Sequence, residues 1–397
     1  MLTHLSLNSF KCFDTLELSL APLTLLSGSN ASGKSTVLQA LLLLHQTICE
    51  SEWSSTLTLN GNILGLGTDA DVIDKINGRR RLRIGVGSHS GMLKWTFQSA
   101  ERRAMNVPVQ SIYWIPKEDL PILEFVADEA SSTPMRRLVP LSWLDESPDL
   151  GMVTESISRL QYISAERLGP REIYPLPDSN NRQVGARGQN APALLHWYGQ
   201  KRISNALEHP KASTPTLRQQ VEAWMREFFP GCGVDVQLVP NANHISLGLR
   251  TDSATDYHRP QHVGFGLSHI LPIITAALVS EPGDVLLVEN PEVHLHPAGQ
   301  TLIGQFLGTV AASEVQVIVE THSDHVLNGI RRAVRARTLD AEHAALYYFY
   351  PRTYAAEEGI EQVVSPQIDL NGNIDHWPVG FFDQFDKDMN YFAGWED

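Results

Sequence analysis

Between Leu23 and Cys49 the chain runs from a short apolar strand, through a loop bracketed by glycines, into an apolar helix. Few folds accept that order for any purpose other than holding a phosphate. Leu23 to Leu26 leads to Gly28, and Gly28-Ser29-Asn30-Ala31-Ser32-Gly33-Lys34-Ser35 satisfies G-x-x-x-x-G-K-[ST]. Val37, Leu38, Leu41, Leu42, Leu44 and Ile48 then recur as on a buried helix. The glycines let backbone N–H groups curl round an anion, and the helix points its positive end at it. In such a loop Lys34 reaches the β and γ phosphates of a nucleotide, and Ser35 holds its Mg²⁺.

Upstream, Leu5, Leu7, Leu16, Leu18 and Leu20 alternate, which predicts an antiparallel hairpin. From about 55 to 165 short alternating runs and turn signals such as Asn60-Gly61 and Asn77-Gly78 predict a mostly antiparallel β lobe. Residues 178–190 are polar and glycine-containing and read as a mobile loop. Helices are expected over 192–208 and 216–229, and a hairpin over Val234–Leu238 and His244–Leu249. After Gly264 the pattern returns to α/β: helix 267–280, strand Val285–Val288, a helix from about 298, strand Val315–Val319 and helix 323–337. No internal repeat and no sustained heptads occur.

Two apolar strands end in chemistry. Val285-Leu286-Leu287-Val288 runs into Glu289, an acid placed as in a Walker B strand, and Val315–Val319 runs into Glu320-Thr321-His322-Ser323. A metal cluster of His294, His296, His322 and His325 is an alternative use of the histidines, although the phosphate-loop reading already employs most of them. Four arginines, Arg79, Arg80, Arg81 and Arg83, crowd a hairpin start, either as a solvated strand end or as a nucleic-acid contact.

Three segments together carry a family likeness. Asn30–Ser35, then Glu289-Asn290-Pro291-Glu292 with His294-Leu295-His296-Pro297, and Glu320-Thr321-His322-Ser323 resemble the ABC-type ATPases of the RecF/SMC/OLD group. Within it the chain is most similar to the AAA-like ATPases that end in the domain of unknown function DUF3696. Val263-Gly264-Phe265-Gly266-Leu267-Ser268, Tyr162–Arg167 with Pro170-Arg171, Ile368–Gly372 and Trp377–Asp383 carry that narrower likeness.

The resemblance implies an α/β P-loop NTPase, an ABC-type ATPase head with an antiparallel β lobe and a small helical insertion. The expected division is a bipartite core at 1–60 and 260–340, a β lobe at 61–259 with its helical insert near 190–230, and a DUF3696-like segment at 341–397. It further implies ATP and Mg²⁺ as cofactors. Asn30, Ala31, Ser32, Gly33, Lys34, Ser35 and Thr36 would bind the nucleotide, with Ser35 and Glu289 on the metal. Gly264, Gly266 and Ser268 would form a signature loop contacting the γ-phosphate held by the opposite subunit of an ATP-joined homodimer. His294–Pro297 would cross that interface, and His322 would act as a switch at the γ-phosphate.

One departure matters. The acid that polarises the attacking water normally follows the Walker B acid, and here that position is Asn290, which cannot accept a proton. Glu292, two residues on, is the substitute candidate; otherwise hydrolysis is slow and ATP serves mainly as a dimerisation switch. The expected catalytic set is Glu289, Glu292 and His322.

Composition narrows the partners. A formal charge of −14 argues against a chain that grips nucleic acid by itself, while leaving open a basic groove formed on dimerisation. Three scattered cysteines match no disulfide or zinc spacing, and the run Ile270–Val279 is too short to span a bilayer. A cytoplasmic protein without a membrane partner is expected. From Ala355 onward ten acidic residues face a single basic one, Lys387, so the tail is either a solvated surface or a dock for a basic partner. Its aromatic residues Trp377, Phe381, Phe382, Phe385 and Trp395 are expected to pack on the core.

OLD nucleases place a Toprim domain after the histidine strand, and only about 75 residues follow His322, with no D-x-D site. The favoured expectation is an ATPase sensor or regulator in bacterial anti-phage defence or genome maintenance, with a separately encoded effector such as a nuclease or toxin. The alternative is a RecF-like DNA-repair ATPase that binds DNA directly. A transporter ATPase suits the long β lobe less well.

Overall fold

The computed structural model describes residues 1–73, 79–99, 103–117, 120–128 and 133–395, so the Asn77-Gly78 turn lies outside the described residues. The chain divides into two compact units. One comprises Met1–Ala21, Gly28–Leu160 and Tyr347–Ser365; the other comprises Pro22–Ser27, Gln161–Leu346 and Pro366–Asp397.

The first unit is built on an antiparallel sheet. In spatial order its strands are Phe13–Ser19, Leu2–Phe10, Arg81–Ser88, Gly91–Gln98, Asn106–Pro116 and Thr56–Thr58, with Leu123–Val126 also pairing with Asn106–Pro116. The N-terminal hairpin thus shares its sheet with the lobe strands, through a register that sets Leu7 opposite Ile84 and Leu5 opposite Val86. Alternation decides the faces: Leu82, Ile84, Trp95 and Phe97 are buried, whereas Arg81 and Arg83 point outward. The helix Lys34–Glu50 is buried nearly all round, with the apolar run Ala40–Leu44 at its centre.

Within the mostly antiparallel lobe expected over 55–165, the stretch 141–158 instead forms two helices, Leu141–Glu146 and Pro148–Ser158. Leu150, Val153 and Ile157 bury at helical spacing behind Pro148 in the first turn, a position where proline's missing N–H costs nothing. The buried His45 ring meets the Ile157 carbonyl at 2.8 Å and ties this pair to the long helix.

The second unit contains a parallel run in the order Gln161–Ile163, Val285–Glu289, Gln316–Glu320 and the strand that begins at Leu23. Continuous apolar runs such as Val285–Val288 are what strands covered on both faces require. Helices Pro297–Ala312 and Asp324–Arg335 pack at close range because Gly304 and Gly329 face each other. A Cβ on Gly304 would stand 2.2 Å from the Val326 carbonyl oxygen. An antiparallel trio, Ile173–Pro175, His244–Arg250 and Gly233–Leu238, holds the expected hairpin.

Three expectations change in this unit. The helix expected over 192–208 stops at Tyr198, because Gly199 ends it and Ile203 instead donates its N–H to the Pro215 carbonyl at 3.0 Å. The loop 178–190 is tied down rather than loose: Gln161 binds the Arg182 carbonyl and the Val184 amide, and Ser164 donates to the Ala186 carbonyl. Val184 is fully buried. In the tail Phe381 is buried and Trp377 lies under Arg331, but Trp395 is 79 % exposed; the Phe385 side chain lies outside the described residues. No helix is long and apolar enough to cross a membrane among the described residues.

Candidate phosphate loop and carboxylate cluster

In the first unit the loop Gly28–Ser35 has the backbone that its glycines permit. Gly28 sits at φ 145° and Gly33 at φ 108°, and Ala31 takes a left-handed φ of 61°. The close approaches show why side chains are excluded. A Cβ at Gly28 would lie 2.3 Å from the Phe349 carbonyl oxygen, and one at Gly33 would strike Phe13 and Cys12 at 2.5 and 2.6 Å. The hairpin turn Lys11–Phe13 therefore closes one side of the loop. Thr36 is buried there, with the Cys12 thiol 3.9 Å from its hydroxyl.

Lys34 is 4 % exposed, and its ammonium donates to the Gly28 and Ser29 carbonyls at 3.0 and 2.7 Å. Ser32 is also buried and its hydroxyl donates to the Ser29 carbonyl at 2.7 Å. Ser29, Asn30 and Ala31 stay exposed at the loop crest. This is a cradle with its cation folded back on loop carbonyls, and an incoming phosphate offers that cation a stronger, charged acceptor. The residues present fit a nucleotide triphosphate.

In the second unit the parallel strands bring Glu289 and Glu320 side by side in register. The C-terminal ends of parallel strands are where open α/β sheets put their ligands. Glu289 accepts from the Ala165 N–H at 3.1 Å and from the Tyr162 hydroxyl. Burial, and then the charge of Glu289, push the Tyr162 hydroxyl far above its ordinary value, so it remains a donor. Asn290 takes a positive φ of 43°, donates its N–H to the Glu320 carbonyl, and buries its side-chain oxygen without a hydrogen-bond partner among the described residues.

Arg167 braces this strand end. Its guanidinium is buried and donates to the carbonyls of Ser164, Glu289 and Asn290 at 3.0, 2.8 and 2.6 Å. Burial lowers its pKa to about 10, which leaves it charged at neutral pH. The sequence names Arg167 and Glu320 only within longer landmarks and assigns neither a role. An acid ending a second apolar strand is a signal for Glu320; nothing local points to Arg167, two of whose three partners lie over 120 positions away.

Glu292 meets the histidine strand: the Thr321 hydroxyl and the His322 N–H each donate to one of its oxygens. The His322 side chain is exposed. Gly264, at φ 83°, opens the helix Phe265–Val279 and has open space around it. Gly266 is tighter, since a Cβ there would come within 3.0 Å of the His294 carbonyl oxygen and 3.1 Å of Phe229. Ser268 is turned inward, 4 % exposed, its hydroxyl without a hydrogen-bond partner among the described residues. His269 packs edge-on against His294 at 4.7 Å; burial, then Arg167 and His294, lower its pKa to about 4. His294, His296, His322 and His325 do not gather into a metal cluster, as no group of three potential ligands converges among the described residues.

Three known families match parts of the chain. Residues 1–88 match the "AAA ATPase domain", residues 154–328 match "AAA domain, putative AbiEii toxin, Type IV TA system", and residues 339–391 match "Protein of unknown function (DUF3696)". Among solved structures the chain is similar to the "SmcHead bound to the C-winged helix domain of ScpA". Identity there is 13%, over 93% of this chain and 98% of that one, with a TM-score of 0.50. The SMC head domain from Thermotoga maritima gives 10% identity over 93% and 99% of the two chains, with a TM-score of 0.41. An SMC head with an extended coiled coil, bound to the C-terminal domain of ScpA derived from Pyrococcus furiosus, gives 10% identity over 99% and 98%, with a TM-score of 0.47. No curated protein matches the chain. The fold is that of a P-loop NTPase head, α/β with an antiparallel lobe.

Proposed function

We propose that this chain, whose segments match AAA ATPase families and DUF3696 and whose fold is that of an SMC head, is an SMC- and RecF-like ATPase that acts as an ATP-driven sensor or regulator for a separately encoded effector in bacterial anti-phage defence or genome maintenance. The cradle around Lys34 is the observation that carries the nucleotide half of this reading. Bound ATP with Mg²⁺ supplies the triphosphate charge and the cleavable phosphoryl bond. With the nucleotide bound, Lys34 would exchange its loop carbonyls for phosphate oxygens and the Ser35 hydroxyl would hold the metal; Glu289 is the acid we assign to a metal shell. Glu292 orients the attacking water, with His322 at the γ-phosphate. Asn290 contributes no base, so turnover is slow and the bound state long-lived.

ATP joins two copies, the exposed helix start at Gly264 of one closing on the phosphates of the other. A helix start offers free N–H groups that an anion satisfies, which ties the interface to the nucleotide. Such opening and closing needs a second component whose affinity differs between the two states. The C-terminal helix supports a docking role, since Tyr391, Phe392 and Trp395 are 66, 80 and 79 % exposed in an acidic segment. Exposed aromatic groups of that density mark interaction surfaces.

Two measurements test the reading. Calorimetry on folded Lys34→Ala protein should show no ATP binding, and unchanged affinity would sink the nucleotide assignment. Co-purification from the native operon should return a partner with the wild type, and none when Tyr391, Phe392 and Trp395 are all changed to serine. The effector half fails if the intact chain elutes alone and reproduces the full biological activity by itself.

A further inference from the structure

The outer face of the antiparallel sheet carries a concentration of positive charge that the nucleotide reading does not use. A cleft of about 370 Å³ is lined by Arg79, Arg80, Arg81 and Arg83, with Ser9 and Gln98 beside them. Its volume lies in the range of small-ligand sites. Four guanidinium groups stand together in a chain whose formal charge is −14.

Two of the four are fixed. Arg79 donates to the Ser9 hydroxyl at 2.7 Å and pairs with Asp14 at 2.8 Å; Ser9 presents that hydroxyl from a left-handed backbone, φ 54°. Arg81 spends its Nε on Gln98 at 2.6 Å, which orients the rest of its donor fork. Arg80 and Arg83 meet no carboxylate among the described residues. The sheet register shows why the charge stays uncompensated. The cross-strand row through Gly85 ends in Glu17 on one side and Glu124 on the other, and those acids are taken by His4 and Ser6 and by Tyr113. The next row, through Arg83, contains Thr15, Asn8, Thr96, Ser111 and Val126, and no acid.

We propose that this cleft binds a ligand bearing adjacent phosphate groups, an oligophosphate held by Arg80 and Arg83 with Arg79 and Arg81 as fixed donors. Planar forks match phosphate oxygens pairwise, which is why clustered arginines rather than lysines suit such a ligand. The phosphates come either from a free oligophosphate or from the backbone of a nucleic-acid strand. The site is separate from the loop at Lys34 and does not depend on the role given to that loop.

The test titrates the full chain with inorganic tripolyphosphate and, separately, with a short single-stranded oligothymidylate, across a salt series. Wild type is compared with Arg80→Gln/Arg83→Gln and with Lys34→Ala. The double variant should lose about tenfold in affinity, and its log-log salt slope on the strand should shrink by about 1.4 for two lost phosphate contacts. Lys34→Ala should retain this binding, so a failed nucleotide assignment leaves the arginine result readable. Binding of tripolyphosphate alone identifies a free oligophosphate, and binding of both identifies a strand backbone. Phenylglyoxal labelling of the wild type, read by mass spectrometry, should show Arg80 and Arg83 protected by tripolyphosphate even if the double variant does not fold. Unprotected arginines, or affinity and salt slope unchanged in the double variant, would overturn the proposal.

Discussion

The His322 amide donates to Glu292 at 3.0 Å, and on the other oxygen of the same carboxylate the Thr321 hydroxyl donates at 2.8 Å. The acid assigned to the attacking water is therefore also the clamp that fixes the histidine strand's exit. Each oxygen keeps a second lone pair, so the two roles are chemically compatible.

They separate by mutation. Glu292→Gln should retain ATP binding and lose turnover, because an amide cannot take the proton. Thr321→Val removes one bond to the carboxylate while leaving it charged, and should cost only a few-fold in kcat. If Thr321→Val falls as far as Glu292→Gln in single-turnover assays, the clamp alone explains the effect and the proton acceptor lies elsewhere.

Arg167 should be the most costly single change near the strand ends. Arg167→Met leaves three carbonyls, those of Ser164, Glu289 and Asn290, without their charged donor. Buried acceptors stripped in this way cost about 1 kcal/mol or more each, so roughly 3 kcal/mol or more together. Urea unfolding should show that loss, and Arg167→Lys should recover part of it. Equal midpoints for wild type and Arg167→Met would mean that the carbonyls find other donors.

Acid should loosen the helix Phe265–Val279 through His269. Its folded pKa of about 4 lies below the ordinary 6.5. Between those values the unfolded chain takes up the extra proton, so this contribution is complete above pH 6.5 and lost as pH falls toward 4. The tail carboxylates Asp369, Asp375 and Asp383 are held below 3.8 and lose their contributions at lower pH still. Stability measured from pH 7 to 4.5 should fall more steeply in the wild type than in His269→Gln. Parallel curves would show that the ring is protonated without cost.

What the sequence made legible was what depends on neighbours in the chain. Gly28–Ser35 announces its loop because the steric demands are local, and Val285–Glu289 announces a buried strand because its apolar run is continuous. The helix at 148–158 carries its period in Leu150, Val153 and Ile157, too short a signal to stand out among the strand patterns around it. Arg167, the anchoring of loop 178–190 by Gln161, and the inward turn of Ser268 depend on contacts between distant segments. No spacing rule reaches those, because the partners meet only once the sheet is assembled.

The dimer prediction has to respect that packing. A bulky side chain at Gly266 would press on Phe229 and His294 of its own chain, so its effect on assembly could not be told from a local distortion. Phe265 is the better probe: it directly follows Gly264 and is 52 % exposed. If the helix start closes on a triphosphate in a second copy, Phe265→Glu puts a negative charge against phosphate, where like charges repel most strongly in a desolvated interface. The variant should melt like the wild type and bind ATP with the same affinity, yet remain monomeric with ATP in light scattering, whereas the wild type doubles its mass. Phe265→Gln, uncharged and of similar length, should dimerise more weakly than wild type but more strongly than the glutamate. An ATP-dependent dimer of full strength in Phe265→Glu would move the interface away from this helix start. A wild type of constant mass with and without ATP would refute nucleotide-driven closure itself.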